Sequence, residues 1–189
     1  MSNAAISRFP VPRLDELPAD IQATIEAVAG KIGFVPNVFI GLAHRPAEFR
    51  AFVAYHDALM DKSNGLSKAE REMIVVATSA TNQCLYCVIS HGAILRIRTK
   101  NPLIADQLAV NPYKADLTDR ERSIVMFALS VANDSASITD DDLDDLRKAG
   151  FSDEEIWDIG SIASFFAMSN RLANFSGMLP NDEFYAMAR

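Results

Sequence analysis

The chain has 189 residues and a mass of 20.7 kDa, with 49% hydrophobic and 23% charged residues. This composition favours one folded domain with a sizeable core and excludes global disorder. A net charge of −7 and a pI near 4.9 disfavour nucleic-acid binding, which depends on clustered Lys and Arg. The sequence has neither a membrane-length apolar run nor a secretory signal pattern, so we expect a cytoplasmic protein that binds no membrane.

The spacing of apolar residues predicts an all-α fold, because no segment alternates with the period of a β-strand. Gly30 and Gly33 are expected to end the first helix, and Pro46 to interrupt the second. Three capping boxes mark later helix starts: Ser67 with Glu70, Thr118 with Glu121, and Ser152 with Glu155. The predicted helices cover residues 19–29, 38–45, 47–60, 68–81, 84–98, 118–132, 139–149 and 152–175.

A weak internal repeat relates residues 66–71 to residues 117–122. It indicates two related helical units packed together, although similarly capped helices also resemble each other without common origin. The second copy has Ser123 where the first has Glu72, and it has no cysteine, so only the first half is expected to carry chemistry. We treat residues 1–13 as an N-terminal extension and residues 14–189 as a single helical domain.

The cysteines, Cys84 and Cys87, are the only two in the chain, which is too few for a disulfide-stapled secreted fold. They stand at i and i+3, and His91 stands four residues after Cys87, so both pairs share one helix face. Cys84 and His91 are separated by roughly 10 Å of helical rise. The spacing therefore predicts that His91 serves Cys87 directly and does not serve Cys84.

Glu72 is expected to join this group through a helical hairpin at Asn82-Gln83. The hairpin would place Glu72 level with His91, where a carboxylate orients an imidazole and raises its basicity. Glu72, His91 and Cys87 would then form a proton relay that deprotonates a thiol. Cys84, at the start of a helix, would gain separately from the helix dipole, which favours the thiolate.

Two other interpretations of the cysteine pair stay open. Both cysteines could be inert core residues, because free cysteine is often buried. They could also bind zinc with His91, taking a fourth ligand from His44, His56 or Glu72. Structural zinc ligands usually come as two separated pairs, and no second pair exists, so we predict no metal and no cofactor. His44 is expected at the surface and His56 in the core.

The spacing of Glu72, the Cys84–Cys87 pair and His91 resembles the signature of the alkylhydroperoxidase D-like family, which belongs to the carboxymuconolactone decarboxylase superfamily. Three further segments resemble its peroxidase-related subgroup: 33–37, 146–151 and 170–171. The similarity extends over residues 14–180.

This resemblance implies an all-helical fold, homo-oligomers (trimers or hexamers) and reduction of hydroperoxides by the two cysteines. It assigns oxidation to sulfenic acid to Cys87, and the roles of proton donor and disulfide partner to Cys84. An external dithiol or protein reductant would restore both thiols. Tyr86 stands where the best-studied members have a histidine, so their lipoyl-type reductants are not carried over to this chain.

We therefore predict a thiol-dependent peroxidase with Cys87, Cys84, His91 and Glu72 as catalytic residues. The alternatives are a decarboxylase-like lyase, which does not need the cysteine pair, and a redox-responsive or zinc-stabilised interaction module. Phe165, Phe166 and Met168 crowd one late helix, which, with the resemblance, favours a homo-oligomer.

Overall fold

The computed structural model describes residues 6–189, and within them the chain is helical without any β-strand. The all-α prediction is therefore confirmed. The described residues form ten α-helices: α1 (Ala19–Ile32), α2 (Asn37–Leu42), α3 (Pro46–Met60), α4 (Lys68–Thr81), α5 (Leu85–Thr99), α6 (Ile104–Val110), α7 (Asp119–Asp134), α8 (Asp140–Lys148), α9 (Asp153–Ser176) and α10 (Glu183–Ala186). None of them is long and apolar enough to cross a bilayer.

The helix starts agree closely with the capping signals in the sequence. The hydroxyls of Ser67, Thr118 and Ser152 each accept a hydrogen bond from the backbone N–H three residues later, which opens α4, α7 and α9. The expected break at Gly30 is wrong, because α1 continues through it to Ile32. The helix ends instead at Gly33, whose φ of +92° is the left-handed conformation that glycine adopts without strain. The short helices α6 and α10 were not predicted.

Helix α4 lies at the centre of the molecule, and most of its residues are buried. One side, with Ile74 and Val75, packs into the core shared with α7 and α9. The other side, with Met73 and Val76, packs against Leu108 and the rest of a second cluster. Because α4 is packed against other helices on both sides, its polar residues Arg71, Glu72 and Thr78 are buried in the interior.

A buried charge network fixes the start of α4. The Arg71 guanidinium is fully buried, and it donates hydrogen bonds to the carbonyls of Leu59 and Leu66 and, at 3.1 Å, to the Asp158 carboxylate on α9. Lys62 pairs with the same carboxylate at 2.6 Å. A buried charge is tolerated only when it is paired and hydrogen-bonded in this way. The network therefore sets the position of α4 relative to α9.

The capped starts of three helices meet at one arginine. Arg120 on α7 contacts Glu70 at 2.7 Å and Glu155 at 2.6 Å, which are the acidic members of the boxes opening α4 and α9. Helices α4 and α7 pack side by side, as the repeat predicts. The helices that follow them differ, because α5 has 15 residues and α8 has 9.

The N-terminal segment packs against the end of α9. The Arg8 backbone N–H donates to the Ser176 carbonyl at 2.7 Å, and the Leu179 N–H donates to the Ile6 carbonyl at 3.2 Å. Residues 1–5 of the predicted 1–13 extension lie outside the described residues. The division of the chain at residue 14 stays a prediction.

Candidate active site

A hairpin between α4 and α5 assembles the candidate site. Helix α4 ends at Thr81 with Asn82 as its C-cap, Gln83 takes a positive φ of 52°, and Cys84 is the extended N-cap residue of α5. The Cys84 backbone N–H donates to the Ser79 carbonyl at 2.9 Å, which closes the reversal. The predicted hairpin is therefore confirmed, and the two helices run antiparallel.

The hairpin brings Glu72 on α4 against His91 on α5. His91 Nδ1 donates to Glu72 Oε2 at 2.8 Å, which confirms the predicted contact. Both side chains are largely buried, and the imidazole packs edge-to-face on Phe166 with 4.8 Å between ring centroids. Because the carboxylate engages Nδ1, the Nε2 nitrogen is the one left for another partner.

The two cysteines are buried free thiols at the start of α5, with exposed fractions of 0% for Cys84 and 3% for Cys87. The pKa of Cys84 is lowered to about 7, mainly by the hydrogen bond with the Cys87 thiol, with the positive charge of His91 as a smaller contribution. The pKa of Cys87 is raised, because this thiol shares its proton with Cys84 and is deeply buried. The pair therefore ionises as a unit, with the first negative charge favoured at Cys84.

The expectation that His91 serves Cys87 and not Cys84 stays a prediction. Among the described residues, no hydrogen bond joins His91 to Cys87, and the charge of His91 acts on Cys84. The spacing argument treated Cys84 as an ordinary helical residue. Cys84 is instead the extended N-cap residue of α5, so regular helical spacing does not describe its position.

A buried asparagine on α9 supports the hairpin from the other side. Asn170 donates from Nδ2 to Ser79 Oγ at 2.9 Å and accepts from Asn82 Nδ2 at 3.0 Å. It also favours the negative charge of both cysteines, and Ser169 favours that of Cys87. The sequence contains a signal for Ser169 and Asn170, because this polar pair interrupts the apolar run of α9.

Cys87 opens onto an apolar cavity of about 280 Å³, here called the cysteine cavity. Helices α1, α2, α3, α5, α9 and α10 contribute its walls, and Tyr86, Ser90 and His91 also face it. Cys84 is not among the lining residues, so a molecule in the cavity meets Cys87 and not Cys84. Its apolar walls include Val38, Phe39, Ile94, Phe166, Phe184 and Met187.

His56 lines the cysteine cavity, so its expected place in the core is wrong. It is half-buried on α3, donates from Nδ1 to Asp57 at 2.9 Å, and lies beside the Phe166 ring that also contacts His91. Phe52, between α2 and α9, lines the same cavity.

A second cavity, of about 440 Å³, lies beneath the N-terminal segment and is here called the N-terminal cavity. It contains the exposed His44, which donates from Nδ1 to the Gly41 carbonyl at 2.7 Å and stacks on Phe9. The surface position expected for His44 is therefore confirmed. Across residues 6–189, no group of three or more His, Cys, Asp or Glu side chains is arranged to hold a metal ion.

The aromatic pair on α9 does not form an exposed interface. Phe165 and Phe166 are 3% and 1% exposed and belong to the core of their own chain, and only Met168 is exposed. The two phenylalanines therefore give no support for an oligomer, and the assembly stays a prediction.

A family model describing the carboxymuconolactone decarboxylase family matches residues 46–102, which contain Glu72, both cysteines and His91. A search of curated proteins finds no match. A solved structure from Ralstonia eutropha, described as an alkylhydroperoxidase core and a peroxidase-related protein, is 61% identical, with a TM-score of 0.97 over 98% of both chains.

Two further solved structures are similar along the chain. A peroxidase-related protein from Silicibacter sp. is 37% identical, with a TM-score of 0.94 over 100% of both chains. A debrominase in complex with 2,3,4-tribromopyrrole has a TM-score of 0.77 over 98% of this chain and 96% of its own, but at 17% identity it shows the fold alone. By the two closer likenesses and the family model, this chain belongs to the alkylhydroperoxidase D-like family of the carboxymuconolactone decarboxylase superfamily.

Proposed function

We propose that this chain is a thiol-dependent peroxidase that reduces hydroperoxides through a dithiol–disulfide cycle of Cys84 and Cys87. The observation that carries the proposal is the asymmetry of the pair. Cys87 faces an apolar cavity, whereas Cys84 lies behind it with a pKa lowered to about 7 by the Cys87 thiol. Membership of the family supports the general role.

The cycle begins when the proton of Cys87 passes to Cys84, so that the thiolate faces the cavity. Cys87 sulfur attacks one peroxide oxygen, the O–O bond breaks, and Cys87 becomes a sulfenic acid while the alkoxide takes a proton and leaves as the alcohol. The Cys84 thiolate then attacks the Cys87 sulfur, which releases hydroxide and forms the disulfide. An external dithiol or protein reductant reduces the disulfide and becomes oxidised itself.

His91 and Glu72 act on this cycle through charge. The Glu72 carboxylate accepts a hydrogen bond from His91 Nδ1 at 2.8 Å, which orients the ring and leaves Nε2 as the nitrogen that takes a proton. An imidazolium near the pair stabilises whichever sulfur carries the negative charge, as its effect on Cys84 indicates. His91 thus accepts the proton that the cysteine pair releases, and Glu72 holds the ring in position.

The alternatives explain fewer of these contacts. A decarboxylase-like lyase has no need of two thiols that share a proton. A redox-responsive module has no need of an apolar cavity that ends at one sulfur.

We further propose that the protein forms homo-oligomers, trimers or hexamers, as the family resemblance implies. Light scattering should then give a particle several times the 20.7 kDa chain. A monomer at micromolar concentration would contradict the assembly without affecting the proposed chemistry.

The central experiment is a peroxide-consumption assay with a panel of dithiols, joined to single-turnover trapping of sulfenic acid. We expect Cys87→Ser to lose trapping and turnover. Cys84→Ser should still form the sulfenic acid but stall, because no disulfide can form. If Cys87→Ser keeps trapping while Cys84→Ser loses it, the two roles are reversed. If the wild-type protein forms no sulfenic acid with any hydroperoxide, the proposed function is wrong.

A further inference from the structure

Tyr86, between the two cysteines, has a hydroxyl that the proton relay does not use. The residue is 4% exposed and lines the cysteine cavity. Its phenol oxygen accepts a hydrogen bond from the Val38 backbone N–H at 3.2 Å, and Val38 lines the same cavity. Among residues 6–189, no acceptor receives the phenol's own hydrogen.

The surroundings of Tyr86 keep it a hydrogen-bond donor. Burial raises the pKa of Tyr86, and negative charge at Cys87 and Cys84 raises it further. The phenol therefore stays protonated in every state of the cycle, and it lies within electrostatic reach of both sulfurs. In an apolar cavity a donor without an acceptor is costly, and a ligand that supplies the acceptor gains correspondingly.

The Val38 contact fixes the direction of this donor. One lone pair of the phenol oxygen is occupied by the Val38 N–H, so the hydroxyl hydrogen points away from that backbone. Ser90, which also lines the cavity, turns its hydroxyl hydrogen to the Tyr86 carbonyl at 2.8 Å, and no hydrogen bond joins Ser90 to the phenol among the described residues. A bound molecule is the acceptor that remains.

We propose that Tyr86 is a catalytic residue that donates a hydrogen bond to the leaving oxygen of the hydroperoxide. This inference rests on the proposed peroxidase function and adds a role to it. Cys87 sulfur bonds to the terminal oxygen, and the O–O electron pair moves onto the alkoxide oxygen. Tyr86 stabilises the charge that develops there. The proton that completes the alcohol comes from the Cys84 thiol, so Tyr86 gains and loses no proton overall.

The test compares two reagents that attack the same sulfur. Iodoacetamide alkylates Cys87 with loss of iodide, which needs no hydrogen bond, whereas tert-butyl hydroperoxide releases a basic alkoxide. Loss of one preorganised donor to a developing oxyanion costs about 10²–10³-fold in rate. Tyr86→Phe should therefore slow the peroxide reaction by at least about tenfold and alkylation by less than about twofold. Tyr113→Phe, an exposed tyrosine outside the cavity, is the matched control and should change neither rate.

The basicity of the leaving group gives a second test. If Tyr86 had only a structural role, the rate loss in Tyr86→Phe would not depend on the leaving group. Peracetic acid releases a weakly basic carboxylate, so Tyr86→Phe should slow its reaction less than that of tert-butyl hydroperoxide. An equal loss with iodoacetamide and peroxide would overturn the inference, since it would show a change in thiolate formation or folding. Unchanged peroxide rates in Tyr86→Phe would overturn it as well.

Tyr86→Phe also removes the hydrogen bond that the Val38 N–H donates to the phenol, so a second variant is needed to separate the two effects. Tyr86→His keeps a side-chain donor, so its ratio of peroxide rate to alkylation rate should lie above that of Tyr86→Phe, and equal ratios would count against the donor. Circular dichroism reports whether each variant is folded. Failure of the proposed function is distinct, because the wild-type protein would then form no sulfenic acid at all.

Discussion

The N-terminal cavity and the cysteine cavity differ in chemistry more than in size. The N-terminal cavity, about 440 Å³, is larger, and its histidine donates to a backbone carbonyl and stacks on Phe9 at the surface. The cysteine cavity, about 280 Å³, has a histidine held by a buried carboxylate and a sulfur that shares its proton. Concavity alone therefore does not mark the site, and the coupled titratable groups at its wall do.

Replacing each histidine in turn is the strongest test of that difference. General acid–base assistance contributes about 10²–10⁴-fold, so His91→Ala should slow single-turnover peroxide reduction by at least about tenfold. His44→Ala is the control in the N-terminal cavity and should leave the rate unchanged. Equal rates for His91→Ala and the wild-type protein would show that His91 takes no part in proton transfer at the cysteine cavity.

The pH dependence tests whether the cysteine pair is coupled. With the pKa of Cys84 near 7, below the ordinary thiol value, thiolate forms as pH rises through 7 and is lost below it. The peroxide rate should rise about tenfold between about pH 6 and about pH 8.

Removing one thiol should shift that midpoint upward. In Cys87→Ala the Cys84 thiol loses the side-chain hydrogen bond that lowers its pKa most, so its thiolate, followed by ultraviolet absorbance, should appear at higher pH. The same midpoint in both proteins would show that the thiols titrate independently.

Neutralising one carboxylate in each cavity should have a smaller effect. Glu72→Gln removes the charge that holds His91 but keeps a hydrogen-bond acceptor, so we expect about a three- to tenfold loss of peroxide rate. Glu48→Gln, which breaks an exposed pair with Arg45, is the control and should have no effect. A larger loss in Glu72→Gln than in His91→Ala would mean that Glu72 acts by another route.

Filling each cavity with an indole should have the smallest effect. Ile94→Trp narrows the cysteine cavity and should slow cumene hydroperoxide by a few-fold while sparing hydrogen peroxide, because the bulky substrate needs the apolar space. Leu172→Trp in the N-terminal cavity should change neither rate. If both variants respond alike, the apolar walls do not select the substrate.

The sequence predicted the parts of the site that depend on local signals. Ser67 with Glu70 located the start of α4, and Asn82-Gln83 located the reversal that pairs Glu72 with His91. These signals are short-range, so they can be recognised without knowing the rest of the fold.

The cavity itself could not be predicted in this way. Val38 and Met187 reach it from distant segments, and α10, with four residues, is too short to give a periodic pattern. The sharing of charge between Cys84 and Cys87 depends on the N-cap geometry and on Asn170 from α9, which helical spacing does not reveal. The cavity and the coupling of the two thiols therefore depend on long-range packing, which local sequence patterns do not report.

The attachment of α10 has a consequence for how this fold can change over evolution. Arg96, on the same helix as the cysteines, holds that segment by donating to the backbone carbonyls of Phe184 and Met187 at 3.0 and 2.9 Å. Every amino acid offers a carbonyl, so this anchor places no demand on which side chains stand at the two positions. The same two side chains line the cysteine cavity. Substrate preference can thus diversify at the end of the chain, one mutation at a time, while the reactive hairpin stays unchanged.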